Sequence, residues 1–322
     1  MSNKALLSVA IATGLMLSGT VSAKTMTMGF TLSKNSHYGQ GAEVFAQEIE
    51  KLSDGKFKIS IKPSGVLGGE RDVVEGLQFG TIDLTISSTG PIGNFVPEVY
   101  ALDFPFLFKS YEHAHKVLDS EIGDTLLNKF EPKGLIGLSW SENGFRHLTN
   151  SKRPVRTPED MKGLKLRTME NEVHISAFKD LGAAPTPMSF TELFTALQQK
   201  TVDGQENPIP VITTSKFYEV QKNLTLTGHV YSPAIILMSK ISWDGLNKQE
   251  KSWFKLAANA SSTATRKAVA KMEKDGIEQL KKEGVTIIEN IDKDSFAKAV
   301  SKTYDKYSSK YGADLIAEIQ NY

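Results

Sequence analysis

The feature of this sequence that most limits its fold is an alternation of strand and helix patterns in its first quarter. Residues 25–31 are rich in β-forming side chains, and apolar residues at positions 42–52 then recur every three or four positions, as on one face of a helix. Residues 56–62 alternate polar and apolar side chains, which is typical of a half-buried strand. A helix pattern (73–78) and a strand pattern (82–86) follow. This order predicts an α/β fold whose sheet is mostly parallel, with helices on both faces.

A second α/β unit is predicted to begin near Gly144. Residues 164–168 read as a strand, and two further strands are predicted at 224–230 and 234–239. Between them, residues 189–192 have the pattern of a helix start, with Ser followed three positions later by Glu. The chain is therefore long enough, and patterned appropriately, for two α/β domains.

The C-terminal third is predicted to be helical. From Lys251 to Glu283 there is no proline, and Gly276 is the only glycine. This stretch predicts one long helix, or two helices with a bend near Gly276. A helix of about 30 residues is about 45 Å long, which is enough to run along two domains. Two more helices are predicted at 293–311 and 313–320.

Residues 1–23 have the three parts of a secretory signal peptide. Lys4 supplies the positive charge, residues 5–17 are mostly apolar, and Val21-Ser22-Ala23 is a small-residue cleavage site. The apolar run is shorter than the roughly 20 residues that a membrane-spanning helix requires, and no later segment reaches that length. We therefore expect the mature protein to be exported, in a bacterium to the periplasm, and not to be embedded in the membrane.

The composition excludes several classes of protein. The 322 residues include 38 Lys and Arg against 37 Asp and Glu, so the chain lacks the basic excess of a nucleic-acid-binding protein. It contains no Cys, which excludes a thiol nucleophile, a Cys-ligated metal site and any disulfide. Hydrophobic residues make up 40%, an ordinary value for a globular chain. A monomer or a small oligomer is expected, with the monomer preferred.

No pattern of catalytic or cofactor-binding residues emerges. The Gly-x-Ser-x-Gly turn of hydrolases is missing, and residues 65–70 lack both the glycine spacing of a dinucleotide loop and the lysine of a phosphate loop. His113 and His115 are two positions apart and would diverge on a helix. We therefore expect no metal, no cofactor and no enzymatic activity.

Two arginines are the first candidates for binding an anion. Arg167 lies at the carboxyl end of a predicted strand and Arg146 just after another, where α/β sheets open onto a ligand crevice. A guanidinium can pair with both oxygens of a carboxylate, although a solvated surface charge is the alternative for each arginine. Asn207 is either a ligand donor or a turn residue. Phe190 is either a core residue or a lid, and His37 either caps the first helix or reaches a ligand.

Several motifs resemble those of one family, the DctP-type solute-binding proteins of tripartite ATP-independent periplasmic (TRAP) transporters. The motifs are Gly65-Val66-Leu67-Gly68-Gly69-Glu70, Phe104-Pro105-Phe106-Leu107-Phe108, Gly163-Leu164-Lys165-Leu166-Arg167, Pro185-Thr186-Pro187-Met188, Val202-Asp203-Gly204-Gln205-Glu206-Asn207 and Lys216-Phe217-Tyr218-Glu219-Val220-Gln221-Lys222. The likeness covers essentially all of residues 24–322.

The resemblance implies a two-domain clamshell with mixed sheets flanked by helices and a long helix that crosses both domains. It implies a domain I of residues 24–143 plus 232–271 and a domain II of residues 144–231 plus 272–322. It also implies that the protein captures a small organic acid, without catalysis, and delivers it to the small and large membrane subunits of a permease. The family's principal carboxylate-binding arginine falls on Arg167, a second arginine on Arg146, and an asparagine on Asn207.

Departures from the sialic-acid members of the family bear on the ligand. Ser88 and Pro91 stand where those members have an acid and an arginine, and Glu170 stands where they have an asparagine, so sialic acid is disfavoured. An ionised acid beside the arginines would repel a second carboxylate. The predicted ligand-binding set comprises Arg167, Arg146, Asn207, Glu170, Phe190, His37, Ser88, Thr89, Thr31, Glu142 and Met169.

A hydroxylated monocarboxylate or sugar acid is therefore the favoured ligand. Two alternatives remain open at this stage. A C4-dicarboxylate could be the ligand, or the same clamshell could serve as a periplasmic sensor that presents its ligand to a membrane receptor.

Overall fold

The computed structural model describes residues 23–322, so the predicted signal peptide lies, but for Ala23, outside the described residues. Nine strands of this part of the chain form one sheet. They are β1 (Lys24–Gly29), β2 (Phe57–Lys62), β3 (Leu84–Ser88), β4 (Leu135–Asn150), β5 (Lys165–Thr168), β6 (Ala184–Pro187), β7 (Gly204–Asn207), β8 (Asn223–Ser239) and β9 (Thr286–Ile288).

Helices cover both faces of this sheet. They are α1 (His37–Leu52), α2 (Glu70–Phe79), α3 (Thr89–Ile92), α4 (Tyr111–Leu118), α5 (Glu121–Leu127), α6 (Glu172–Asp180), α7 (Phe190–Gln198), α8 (Ile209–Thr214), α9 (Lys240–Asp244), α10 (Lys248–Lys282), α11 (Lys293–Ala299), α12 (Ser301–Tyr311) and α13 (Ala313–Asn321). Short 3₁₀ turns occupy Pro97–Asp103, Glu131–Lys133, Pro158–Met161 and Phe217–Glu219.

The sheet is mixed and confirms the predicted α/β class. Its strand order is β2-β1-β3-β8-β4-β7-β5-β6, and β9 pairs with β8. The two flanks are parallel, since β1 pairs in parallel with β2 and β3, and β5 with β6 and β7. The central strands β4 and β8 are antiparallel to each other and to their outer neighbours β7 and β3. The expected parallel pairing therefore holds in the flanks and not in the centre.

The two long strands β4 and β8 join the halves of the sheet, and β8 continues through a position where the sequence predicted an interruption. The segments 224–230 and 234–239 form the single strand β8, which passes through Pro233. Pro233 lies opposite Glu142, next to a register shift of the β4–β8 ladder between Glu142 and Gly144. Proline donates no hydrogen bond, and an irregular step in the ladder tolerates that loss.

Side chains of β8 alternate between two hydrophobic cores. Ile236 and Met238 belong to the core beneath α1 and α10, whereas Ile235 and Leu237 belong to the core beneath α2, α4 and α5. This period of two is the expected consequence of strand geometry. A third, smaller core lies between α6 and α11 around Leu148 to Val300. The central strands are therefore covered on both faces and hold fixed positions for their polar side chains.

The predicted long helix is continuous. Asn247 caps α10, since its side chain accepts a hydrogen bond from the Glu250 backbone N–H, and Glu250 caps the Asn247 backbone in return. The helix has 35 residues, a length of about 52 Å. It does not end at Gly276, which is buried against Ile209 of α8. The glycine is thus explained by a close helix contact and not by a bend.

The C-terminal segment differs in detail from the prediction. The helix predicted at 293–311 is divided at Val300 into α11 and α12. Tyr307 of α12 and Ile316 of α13 pack into the core beneath α2, α4 and α5. Over residues 23–322, none of the helices combines the length and the apolar character that crossing a bilayer demands.

Candidate functional site

A cavity of about 280 Å³ lies where the strand ends of both sheet flanks meet the helix starts. Its wall contains the two guanidinium groups that the sequence singled out, Arg146 on β4 and Arg167 on β5. Both arginines are almost fully buried, with 0% and 2% of their surface exposed. Buried charge is costly unless it is paired, so the partners of these two groups determine what the cavity can bind.

Arg167 is a buried cation whose hydrogen bonds within the described chain go to a single backbone carbonyl. Its Nε and Nη2 donate to the Met188 oxygen at 3.0 and 2.7 Å. Its Nη1 has no partner among the described residues. Burial lowers the pKa of Arg167 to about 10, an effect that Glu70 opposes, so the group still carries its charge at pH 7. An anion at Nη1 would supply the missing partner.

Arg146 is held by the carboxylate of Glu206, which lies on the neighbouring strand β7 two register positions away, opposite Leu148. Nη2 of Arg146 donates to Oε1 of Glu206 at 2.8 Å and to the Glu206 carbonyl at 2.6 Å, and Nε donates to Oε2. His229 lies 3.0 Å from the same Oε2. Burial would raise the pKa of Glu206, but Arg146 and His229 outweigh it and hold that pKa well below the usual range. Nη1 of Arg146 is again without a partner.

Both Nη1 groups lack a partner among residues 23–322, and such charged donors have the chemistry to pair with a carboxylate. One arginine is oriented by an ion pair and the other by a backbone carbonyl, so each guanidinium is fixed with its Nη1 amino group unused. Fixed charged donors recognise carboxylates with geometric selectivity. Asn207 ends β7 beside them, and its amide donates to Oε1 of Gln205 at 2.5 Å. It lines the cavity as a polar neighbour of the arginines.

The cavity brings together most of the side chains predicted from the sequence. Those that line it are Thr31, Ser88, Arg146, Arg167, Met169, Phe190 and Asn207. Phe190 also packs against the core, with its ring 6.0 Å from that of Phe217, whereas its role as a lid stays a prediction. Ser88 and Met169 are in contact, with Oγ and Sδ 3.4 Å apart, and thus join β3 to the end of β5.

Four predicted side chains lie outside the lining, and three of them, those of His37, Thr89 and Glu142, have another buried partner. His37 approaches Asn143, with Nε2 and Oδ1 3.2 Å apart, and burial lowers its pKa to about 4, so it is neutral at pH 7. Thr89 donates to Asp103 at 2.6 Å. Glu142 accepts a hydrogen bond from Tyr231 at 3.0 Å and lies 2.8 Å from Nε2 of His115. The carbonyl of Glu170 accepts from Asn94 at 2.9 Å.

Other lining residues were missed at the sequence level. They are Leu32, Tyr38, Glu70, Asn143 and Val211. Glu70 accepts a hydrogen bond from Thr31 at 3.2 Å, and burial raises its pKa while Arg167 opposes the rise. Glu70 ends the glycine-rich motif of residues 65–70, and Asn143 directly follows the predicted site residue Glu142. The sequence therefore contained an indication that Glu70 and Asn143 belong to the site, whereas Tyr38 is indicated only by its neighbour His37.

A second cavity of about 410 Å³ lies among α6, α11 and β8, but it does not suit an anion. Its lining is largely apolar and includes Phe106, Phe178 and Phe296. Its polar side chains are Thr227, His174 and His229, with no arginine, lysine or carboxylate among them. The cavity at Arg146 and Arg167 is the candidate functional site, because it holds two buried cations whose Nη1 groups have no partner among the described residues.

The family model described as bacterial extracellular solute-binding protein, family 7 (DctP) matches residues 28–310. The chain belongs to this family. Its TRAP solute-binding assignment and α/β fold, both predicted from the sequence, are thereby confirmed. The family serves transport, and its description places it outside the cytoplasm, which supports a periplasmic location.

Solved structures of family members are closely similar to this chain. A TRAP periplasmic solute-binding protein from Polaromonas sp. JS666, bound to D-erythronate, is 54% identical with a TM-score of 0.91, over 92% of this chain and 98% of that chain. One from Bordetella bronchispeptica, with density interpreted as pantoate, is 53% identical with a TM-score of 0.90 over the same shares.

A more distant structure binds a longer acid. The sugar acid binding protein DctPAm from Advenella mimigardefordensis, in complex with galactonate, is 40% identical with a TM-score of 0.90, over 93% of this chain and 97% of that chain. These similarities concern nearly the whole of each chain.

Proposed function

We propose that this protein is the solute-binding subunit of a TRAP transporter and that it captures a short hydroxylated monocarboxylate. The observation that carries the proposal is the pair of buried, unpartnered Nη1 groups of Arg146 and Arg167 on one cavity wall. The ligand's carboxylate pairs with these donors, and the cargo passes to a membrane permease unchanged. The binding subunit acts as a monomer after export through its signal peptide.

The charges around the cavity favour one carboxylate over two. Arg146 is already neutralised by Glu206, so Arg167 is the main uncompensated cation. Glu70 adds an acid to the same wall, and no second cation lines the cavity away from the two arginines. A dicarboxylate would therefore bring a second negative charge into the cavity with no further cation in the lining to pair with it, which is unfavourable.

The remaining lining suits a small, partly apolar and hydroxylated molecule. Thr31, Ser88 and Asn143 offer hydrogen bonds, and Leu32 and Val211 contribute apolar surface. Erythronate and pantoate, which occupy the Polaromonas and Bordetella proteins, are both hydroxylated monocarboxylates of this kind.

Binding and closure are coupled in this proposal. We divide the protein into lobe I (24–143 plus 232–271) and lobe II (144–231 plus 272–322), which the long strands β4 and β8 connect. Arg167 and Asn207 belong to lobe II, whereas Thr31, Glu70 and Ser88 belong to lobe I. The carboxylate neutralises Arg167 and removes the cost of enclosing an unpaired charge. Ligand contacts with both lobes then stabilise the closed form by hinge motion.

The test is calorimetric titration of the mature protein with D-erythronate, pantoate, galactonate and succinate. We expect at least one hydroxylated monocarboxylate to bind more tightly than succinate. Arg167→Ala should weaken that ligand between about 10-fold and 150-fold, since a hydrogen bond to a charged group contributes about 1.5–3 kcal/mol.

A matched control is Arg153→Ala. Arg153 also donates to backbone carbonyls, those of Asp160 and Lys162, but it lies at the surface away from the cavity. Its loss should leave the affinity unchanged. Equal affinities of wild type and Arg167→Ala would contradict the proposal, as would tighter binding of succinate.

A further inference from the structure

Tyr38 is a buried tyrosine whose hydroxyl group has no role inside the protein. It is the second residue of α1, only 2% of its surface is exposed, and it lines the cavity. Its hydroxyl oxygen has no hydrogen-bond partner within residues 23–322. A buried polar group without a partner costs about 1–3 kcal/mol, so a phenylalanine would suit the folded chain better unless the hydroxyl serves a ligand.

The ring of Tyr38 is held in place by its neighbours. The ring of His37 meets it edge-on at 4.6 Å, and that of Phe30 meets it edge-on at 6.4 Å. Both neighbours are themselves buried. The direction of the hydroxyl is thus fixed by packing, which is the condition for a selective contact.

Among the ionisable side chains that line the cavity, one acceptor and two donors accompany the hydroxyl. Burial raises the pKa of Tyr38 well above its usual value, Glu70 raises it further and Arg146 opposes the rise, so the phenol keeps its proton and can donate it. The acceptor is the carboxylate of Glu70, and the donors are the free Nη1 groups of Arg146 and Arg167. A ligand hydroxyl can accept from Tyr38 and donate to Glu70 at once, whereas a keto group cannot donate.

We propose that Tyr38 is a specificity-determining residue that selects acids carrying a hydroxyl group near the carboxylate. This inference rests on the proposed function, because it takes the carboxylate to be bound by the two arginines. A ligand without that hydroxyl leaves the buried phenol unpaired in the closed complex. Sites built to bind a hydroxyl reject the analogue that lacks it more strongly than apolar pockets reject an extra group.

The experiment compares wild type and Tyr38→Phe by calorimetric titration with D-erythronate and its 2-deoxy, 3-deoxy and 4-deoxy analogues. We expect Tyr38→Phe to weaken D-erythronate about tenfold, the effect of one lost hydrogen bond. One deoxy analogue should bind wild type more weakly by a similar factor and be insensitive to Tyr38→Phe. That pattern identifies the hydroxyl that Tyr38 contacts.

Thermal unfolding of the ligand-free protein separates this role from a structural one. Tyr38→Phe should leave the melting temperature unchanged or raise it, because the hydroxyl it removes has no partner. The control is Tyr304→Phe, which removes a hydrogen bond to the Pro105 carbonyl at 2.7 Å, remote from the cavity. That variant should lower the melting temperature and keep the affinity for D-erythronate.

Two results overturn the inference while leaving the proposed function intact. In the first, Tyr38→Phe binds D-erythronate as tightly as wild type although Arg167→Ala does not. In the second, the variant weakens all four ligands by the same factor. If wild type binds none of the four ligands and none of the acids named above, the proposed function itself fails.

Discussion

At the scale of single residues, the site depends on the ion pair that fixes Arg146. Arg146 and Glu206 are both fully buried, and a bidentate contact joins them. Removing one partner of such a pair leaves an uncompensated charge in the interior. The guanidinium of Arg146 would then also lose the orientation that presents Nη1 to the cavity.

Glu206→Gln should lower the free energy of unfolding by about 3–5 kcal/mol, as measured by urea denaturation. The control is Asp119→Asn at a second bidentate pair, in which Arg266 contacts Asp119 at 2.7 and 2.8 Å on a carboxylate that is 55% exposed. That substitution should cost less than about 1 kcal/mol. Similar small losses in both variants would show that Arg146 does not need its partner.

The sequence predicted Arg167 at a strand end, which is a local property, whereas Arg146 was predicted to follow a strand and lies inside β4 because that strand continues to Asn150. Arg146, Arg167 and Asn207 lie next to strand patterns that can be read from neighbouring residues. The places of His37 and Glu142 could not be predicted, because Asn143 and Tyr231 reach them only in the folded chain. A side chain that can bind a ligand can equally bind another buried side chain, and spacing along the chain does not distinguish the two.

At the scale of elements, Gly276 shows why a local pattern was ambiguous. A glycine inside a helix costs about 1 kcal/mol of stability relative to alanine. Gly276 was therefore read as a possible bend of the predicted helix. In the fold, a Cβ at this position would lie 2.5 Å from Cγ2 of Ile209 and 3.1 Å from Cγ2 of Thr213. Gly276 is thus a contact point between α10 and α8. These helices are far apart along the chain, so a local sequence pattern cannot show their contact.

Gly276→Ala should therefore destabilise the protein by about 1–3 kcal/mol, in spite of its better helix propensity, because it overpacks the contact. Denaturant unfolding measures this loss. Combining it with Ile209→Ala should give a total smaller than the sum of the single effects, since the second change removes the obstructing methyl group.

Gly245→Ala is the control for the helix contact. The nearest atom to its added Cβ would be the Ser242 oxygen at 3.6 Å, an ordinary contact distance. Its φ of −73° is accessible to alanine. If Gly276→Ala proved as stable as this control, α8 would have to move away from α10 at little cost.

At the scale of the whole molecule, a buried carboxylate connects the proposed lobes. Asp103 in the turn Pro97–Asp103 accepts a hydrogen bond from Asn171 at 2.8 Å, and Asn171 caps α6 through the N–H groups of Val173 and His174. Burial raises the pKa of Asp103 to about 7, while Thr89, Arg146 and Asn171 oppose the rise and Glu206 adds to it. The contact between the lobes therefore changes its charge near neutral pH.

Asp103 makes a pH-dependent contribution to stability whose sign can be worked out. Between the pKa of an unfolded aspartate, about 3.9, and about 7, the folded form holds a proton that the unfolded form has released. The unfolded state binds fewer protons in this window, so the free energy of unfolding falls as the pH rises. The stabilisation that the protonated Asp103 contributes is fully present below about pH 4 and fully lost above pH 7.

Asp103→Asn should remove this dependence. The stability of wild type relative to the variant should decline from pH 4.5 to pH 7 and then level off, with a slope of at most about 1.4 kcal/mol per pH unit. Urea denaturation at a series of pH values measures the difference, in which the other titrating groups largely cancel. A constant difference over this range would show that Asp103 titrates as it does in the unfolded chain.

The overall architecture was largely predictable, whereas the continuity of the sheet was not. Alternating patterns and family motifs gave the α/β class and the long helix. That β4 and β8 run through both halves depends on the pairing of Pro233 with Glu142 at an irregular step of the ladder. Such pairings join residues that are 91 positions apart, 233 against 142, and local periodicity carries no information about them.

The most direct test of the central claim is a crystal structure of the mature protein with bound D-erythronate. The measured quantities are the distances from the ligand's carboxylate oxygens to Nη1 of Arg167 and Nη1 of Arg146. We predict that both distances lie in the hydrogen-bond range of about 2.7–3.2 Å. A carboxylate that lies elsewhere in the cavity, with both Nη1 groups left unpaired, would contradict the account.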